Sequence, residues 1–208
     1  MSRLTRAESQ ARTRDSLVAT ARELFLRDGY SATSLAKVAD EAGFSTGAVY
    51  SNFQGKSALA LVVLDQIHAE QLDEVRAIFL GDRPVEDKLA AFEKWANTAM
   101  SSGWPRLELE FALEARQEPE LVNALANRER VAVELIAESF ERQLHGLGLT
   151  GLLPAKALAG AVVSLGIGIA IQRLVDPKVS VSGIIDLLRA AWQVAGRGGP
   201  GTGGHSGE

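Results

Sequence analysis

Three features of the 208-residue sequence predict an all-α fold of about nine helices. Apolar residues recur at three- and four-residue intervals along most of the chain, the spacing of one helix face. Residues that favour strands are scattered, and no alternating apolar–polar run occurs. Glycine and proline punctuate the periodic segments, as helix stops and starts require.

The first helix is expected over about 10–28, with Leu17, Ala21, Leu24 and Phe25 as its apolar stripe and Gly29 as its stop. Thr33 or Ser34 can cap a short helix over about 35–42, which Gly43 ends. Ser45 can cap a second short helix over about 46–53. A long helix follows over about 56–80 and closes at Gly81. Pro84 opens a helix to about residue 100, and "SSGWP" breaks it. Pro105 starts the next helix, to about residue 117, and Pro119 separates it from a long one ending near His145. "GLGLTGLLP" reads as a loop, and two helices over about 155–174 and 181–195 complete the fold, divided by Asp176-Pro177. From Gly196 the chain holds seven glycines in thirteen residues, too little side chain for a core, and is expected to be a disordered tail.

Composition narrows the function classes. With no cysteine, disulfides and Cys-based metal or redox centres are excluded. The N-terminal "MSRLTRAESQARTR" is polar and basic, without the apolar segment of a secretory leader, and a cytoplasmic location is expected. The stretch 157–171 is uncharged, but its fifteen residues fall short of the ~20 a membrane span needs. It reads instead as a core or interface helix, and no membrane partner is expected. The net charge of −4 is unevenly spread: residues 1–56 carry +2, with four arginines in the first fourteen, and the other 152 carry −6. A basic head on an acidic body directs the head alone towards an anion.

Within that head, Ala39, Gly43 and Val49 follow the small, glycine, aliphatic spacing of a helix-turn-helix. Ala39 allows a close crossing, Gly43 a positive φ, and Val38 and Phe44 fill the angle between the helices. An ordinary αα-corner would use the same residues. The second short helix is unusual in what its outer face lacks. Thr46, Gly47, Ala48, Ser51 and Asn52 bring neither charge nor bulk, where a solvated helix carries Glu and Lys. Such a face fits a major groove, where small polar side chains reach base edges. The Tyr50 hydroxyl suits a phosphate, Phe53 anchors the helix end, and Lys56 stands at the next helix start, where ammonium, free N–H groups and dipole favour a phosphate together. Leu59 returns to the core and fixes that orientation.

The run from Gly43 to Tyr50, followed by Phe53, Lys56 and Leu59, resembles the recognition helix of the TetR family of bacterial regulators, with its Tyr-x-x-Phe-x-x-Lys-x-x-Leu ending. Upstream, "ARELFLRDGYSATSLAKVADEAG" resembles the family's first two helices, including Phe25, Gly29, Tyr30 and Thr33. The resemblance covers about residues 11–71. Thr46 departs from it, since many members carry a basic residue there, and the four N-terminal arginines are the expected compensation. The expected organisation is a basic arm (1–10), a DNA-binding domain (11–71) with its helix-turn-helix at 34–53, a regulatory and dimerisation domain (72–195) and the tail (196–208). The candidate DNA-contacting set is Thr33, Ser34, Lys37, Ser45, Thr46, Gly47, Ala48, Tyr50, Ser51, Asn52 and Lys56.

Beyond the head, "RLELEFALEARQEPEL" resembles a regulatory-domain helix and turn of the family, and "SLGIGIAIQRLVDP" its penultimate, dimer-forming helix. The second likeness has a physical counterpart: Gly160, Ser164 and Gly168 are spaced by four, as are Ala157 and Ala161, so two helix backbones can approach along that face. A homodimer seam is expected there, the alternative being an intrachain core helix. Phe92, Trp95, Met100, Trp104 and Phe111 cluster in sequence around Gly103, with Phe140 further on. Aromatics at helical spacing usually form core; the resemblance implies that a pocket for a small apolar or amphipathic effector lies among them.

Other chemistry finds little footing. Glu141/His145 and Glu138/Arg142 are i, i+4 neighbours of a charged helix, and no second cluster completes a metal site. No nucleophile elbow, phosphate loop or dinucleotide fingerprint occurs, and no cofactor or catalytic residue is expected. The resemblance therefore implies a regulator, most simply a repressor released from a palindromic operator by its effector. The competing class is a helical small-molecule-binding protein or enzyme with a vestigial head.

Overall fold

A computed structural model describes residues 5–146 and 154–197 of the chain. Within them the fold is all-α, with helices α1 (Arg6–Asp28), α2 (Leu35–Glu41), α3 (Thr46–Asn52), α4 (Lys56–Phe79), α5 (Val85–Ser101), α6 (Trp104–Ala115), α7 (Pro119–Gly146), α8 (Ala155–Val175) and α9 (Ser182–Arg197). The expected loop after His145 and the glycine-rich tail lie almost wholly outside the described residues.

The ends obey local chemistry. Helix α1 begins at Arg6 and not near residue 10, because Thr5 caps it and Glu8 completes a capping box. Residues 6–10 of the expected basic arm are therefore helix. Ser34 and Ser45 cap α2 and α3, accepting from the N–H groups of Lys37 and Ala48. Those two helices have seven residues each, below the ~12–15 at which an isolated helix becomes marginal. Packing must hold them. Val38 and Ala39 of α2, with Val49 of α3 and Phe53 at its end, are buried among Leu17, Leu24, Phe25, Leu59 and Val63. Burial contributes roughly 1.5–3 kcal/mol for each large apolar side chain, enough to offset the cost of short helices.

This first core is not confined to the head. Leu107, Phe111 and Ala115 of α6 and Leu121 of α7 belong to it, and Phe111 meets Tyr30 edge-on at 5.5 Å. The start of α6 lies against the end of α1. A Cβ on Gly103, whose φ is +84°, would sit 2.2 Å from the Leu26 carbonyl oxygen, so only glycine allows the approach. Arg106 then donates to the Leu26 and Arg27 carbonyls, groups that a helix C-terminus leaves open. Arg128 joins α7 to α4 in the same way, donating to Asp65 and to the Leu61 carbonyl.

A second, smaller core gathers Ile78 of α4, Leu89 and Phe92 of α5 and Ile185 of α9. Helix α8 packs chiefly along α7. Only Ala155 and Ala159 of α8 are buried, so it is not an intrachain core helix. Its 21 residues are longer than the uncharged stretch alone and pass the length and composition test for a membrane span, a test that apolar helices of other kinds also pass. Its exposed face carries Leu165, Ile167, Ile171 and Leu174, and α9 adds Leu187 and Val194.

Candidate functional site

The turn between α2 and α3 is set by Gly43, at φ +73°, after which the Phe44 N–H donates to the Ala39 carbonyl at 2.9 Å. With Val49 and Phe53 buried, the opposite face of α3 is directed outward by the helical period. Thr46, Gly47, Tyr50 and Ser51 are exposed there, Tyr50 at 62%. Neither the Thr46 hydroxyl nor the Tyr50 hydroxyl has a hydrogen-bond partner among the described residues, so both are available to a ligand. Ser51 and Asn52 instead donate back to the Ala48 carbonyl.

Cations flank this face. Arg14 of α1 donates to the Asn52 carbonyl at 2.8 Å, and its guanidinium lies 4.3 Å from the centre of the Phe53 ring. Ala7, Gln10, Ala11 and Arg14 line a cleft with Ser51 and Asn52. Lys56 begins α4, and its ammonium sits 4.0 Å above the Tyr30 ring. Burial holds that ammonium below the ordinary lysine range, against the pull of Glu114 and Glu110. The N-terminus of α4 has no side-chain cap, so its first N–H groups remain open to an anion.

Two members of the expected contact set are held by partners within the chain. Thr33 is 1% exposed and donates to the Gly29 carbonyl at 2.8 Å, so it stabilises the turn and cannot reach a partner. Lys37 is paired with Asp28 at 2.9 Å, where Arg27 and Lys37 hold the carboxyl well below the usual carboxylate range. Arg14 was not singled out by the contact set. It stands three residues before Leu17 and four before Val18, so the helical period puts it on the core-facing side of α1, where α3 ends.

The expected aromatic cluster also divides. Trp104 packs on the first core and meets the His68 ring edge-on at 5.5 Å, and Phe111 is fully buried in that core. Met100 is half-buried on α5. Trp95 stacks on Phe92 and donates to Gln71. Only Phe92 and Phe140 line the apolar cavity, which α5, α7, α8 and α9 enclose with Phe79 of α4. It holds about 60 Å³, roughly two water volumes and far below the ~300–1,000 Å³ of small-molecule sites. A small molecule of that size would have to widen it. On α8, Ser164 is exposed, and a Cβ at Gly160 or Gly168 would meet nothing within 4 Å.

The sequence profile of bacterial regulatory proteins of the tetR family matches residues 17–63, the stretch from the middle of α1 to the first turns of α4. A TetR-family transcriptional regulator from Pectobacterium atrosepticum has a similar structure, at TM-score 0.67 and 25% identity over 94% of this chain and 97% of that one. These matches support the TetR family, through the head that the profile covers. Among curated relatives, the HTH-type transcriptional regulator TtgR of Pseudomonas putida is 37% identical over 68 residues, 33% of this chain. That aligned stretch spans 32% of TtgR, so the likeness is one of heads. The structure of SmeT in complex with triclosan shares the fold, at TM-score 0.66 and 22% identity over 86% of this chain and 91% of that one.

Proposed function

We propose that the protein is a dimeric, ligand-responsive transcriptional repressor that binds a palindromic operator in the cytoplasm. The observation that carries the reading is the face of α3. It is fixed by two buried anchors, free of charge and, Tyr50 apart, of bulk, and flanked by Arg14, Lys56 and the uncapped start of α4. Thr46 and Tyr50 would meet base edges and phosphate, and the cations would set register on the backbone.

Dimerisation through α8 and α9 completes the arrangement, since one copy reads one half-site. The exposed apolar side chains of both helices and the open space beside Gly160 and Gly168 support this. Two α3 helices related by a two-fold would enter successive major grooves ~34–36 Å apart. An effector that widens the cavity would favour a different pose of the body. Because α6 is hydrogen-bonded to the end of α1, that pose would be passed to the spacing of the heads. Triclosan in SmeT is an example of a small, largely apolar occupant in a protein of this fold.

The test is a gel shift with DNA from beside the protein's own gene, run across a salt series against unrelated DNA. A selective shift supports the regulator. Failure to shift any of these DNAs at low salt would leave a helical binding protein or enzyme with a vestigial head.

A further inference from the structure

We propose that the cavity between α5 and α7 takes an amphiphile with a monoanionic carboxylate head, and that Lys88 selects its charge. This rests on the reading of the protein as ligand-responsive and adds the chemical class of the ligand. Lys88 lies on α5, lines the cavity and is 6% exposed. No carboxylate among the described residues comes within ion-pair distance of it, and none of their oxygens accepts a hydrogen bond from it. The other buried cation, Arg128, is paired with Asp65 at 2.6 Å. The acidic neighbours of Lys88 on its own helix do not serve it: Glu86 is paired with Arg189 at 2.9 Å, and Asp87 is exposed.

The Lys88 stem is buried while its unpaired ammonium keeps contact with solvent, so an anion can reach it. From α7, the cavity receives a second unmet group. Ser139 is 3% exposed, and its hydroxyl has no hydrogen-bond partner. Buried polar groups are nearly always hydrogen-bonded, so an unmet hydroxyl lining the same cavity as an unpaired ammonium marks a place where a ligand supplies the partner. Gln143, four residues beyond Ser139, lines the same wall. Lys88 offers donors alone, and the hydroxyl and amide can each donate, a set complementary to the acceptor-only oxygens of a carboxylate. Its single positive charge matches one negative charge. A dianionic phosphate would leave the second unpaired against Phe79, Phe92, Phe140, Val162 and Trp192, which are the walls for an apolar body.

The test titrates the full-length chain with octanoate and with octanol, matched in chain length, and follows tryptophan fluorescence, to which Trp192 contributes, and thermal unfolding. The wild type is expected to bind octanoate saturably and octanol about tenfold or more weakly, the lower end for one charge-assisted hydrogen bond. Lys88→Met should abolish that preference, Lys88→Arg should keep it, and Ser139→Ala should weaken octanoate alone. Lys88→Met should unfold close to the wild type without ligand, since the side chain makes no ion pair or hydrogen bond among the described residues. Octanol bound as well as octanoate by the wild type would overturn the anionic head while leaving a ligand cavity. An octanoate preference that survives Lys88→Met would overturn the role of Lys88. Binding of neither compound would remove the proposal and leave the ligand-responsive reading without its cavity.

Discussion

The Glu110 carboxylate of α6 accepts a hydrogen bond from the Ser31 backbone N–H at 2.9 Å, across 79 positions of sequence. Ser31 lies in the turn after α1, so a side chain of the body holds the turn that introduces α2. Arg106, one helical turn before Glu110, grips the α1 carbonyls on the other side. Glu110→Ala should therefore cost about 1–2 kcal/mol in urea unfolding, the range for a hydrogen bond to a partly exposed charged group. It should also weaken the effect of any effector on DNA binding, because it loosens the link between body and head. Unchanged stability would mean that the turn holds itself.

A pH effect follows from Glu70. Arg22 of α1 donates to both its carboxylate oxygens from across α4, and this lowers the Glu70 pKa below its ordinary value. A carboxyl depressed in the folded state stabilises fully above its unfolded pKa, about 4.3 for Glu, and less as pH falls through the folded value. Glu70→Gln should therefore flatten the fall in unfolding temperature below about pH 4.5, with the difference from wild type shrinking as both approach full protonation. Half-exposure keeps the effect small.

Residue roles at the DNA face separate by salt. Lys56→Ala should weaken binding to all sequences and lower the salt slope by about one unit. Thr46→Ala should relax preference at particular base positions, costing about 1–3 kcal/mol at a matched site. The readout is affinity for matched and scrambled DNA across a salt series. One uniform loss in both variants would contradict the division into positioning and reading contacts.

The seam is tested at Gly168. Leucine there meets no atom of its own chain within the reach of a Cβ, so the monomer should keep its helix content. Against a second copy the branched side chain would sit between close helices, where overpacking typically costs about 1–3 kcal/mol, and two-fold symmetry counts it twice. Gly168→Leu should run as a monomer on sizing and lose operator binding, because a lone half-site lacks the high effective concentration of its partner. A variant that stays dimeric and binds normally would move the interface off this face of α8.

The helix order was legible because the punctuating residues act locally: Pro84, Pro105, Gly43 and Ser45 do at close range what their chemistry allows. The true start of α1 was also legible, in the Thr5-x-x-Glu8 capping box, had the basic run not suggested an arm. The division of the aromatics was not. Trp104 and Phe111 follow Phe92 closely in sequence, but Gly103 turns α6 back to the head, a close approach that depends on the Leu26 carbonyl far up the chain. Lys88 was hidden by its type. It reads as a solvated charge in "VEDKLAAFEKW", although its place four residues before Phe92 puts it on the buried face of α5.

Two copies of α3 are expected to read one palindrome. A nuclease footprint on the DNA that the protein retards tests it most directly. Two protected half-sites related by a two-fold are expected, ~34–36 Å or a multiple of that apart along the helix axis. Protection should be lost in Gly168→Leu and recovered at neither half-site alone. A single, asymmetric protected site, bound equally well by a monomeric variant, would contradict it.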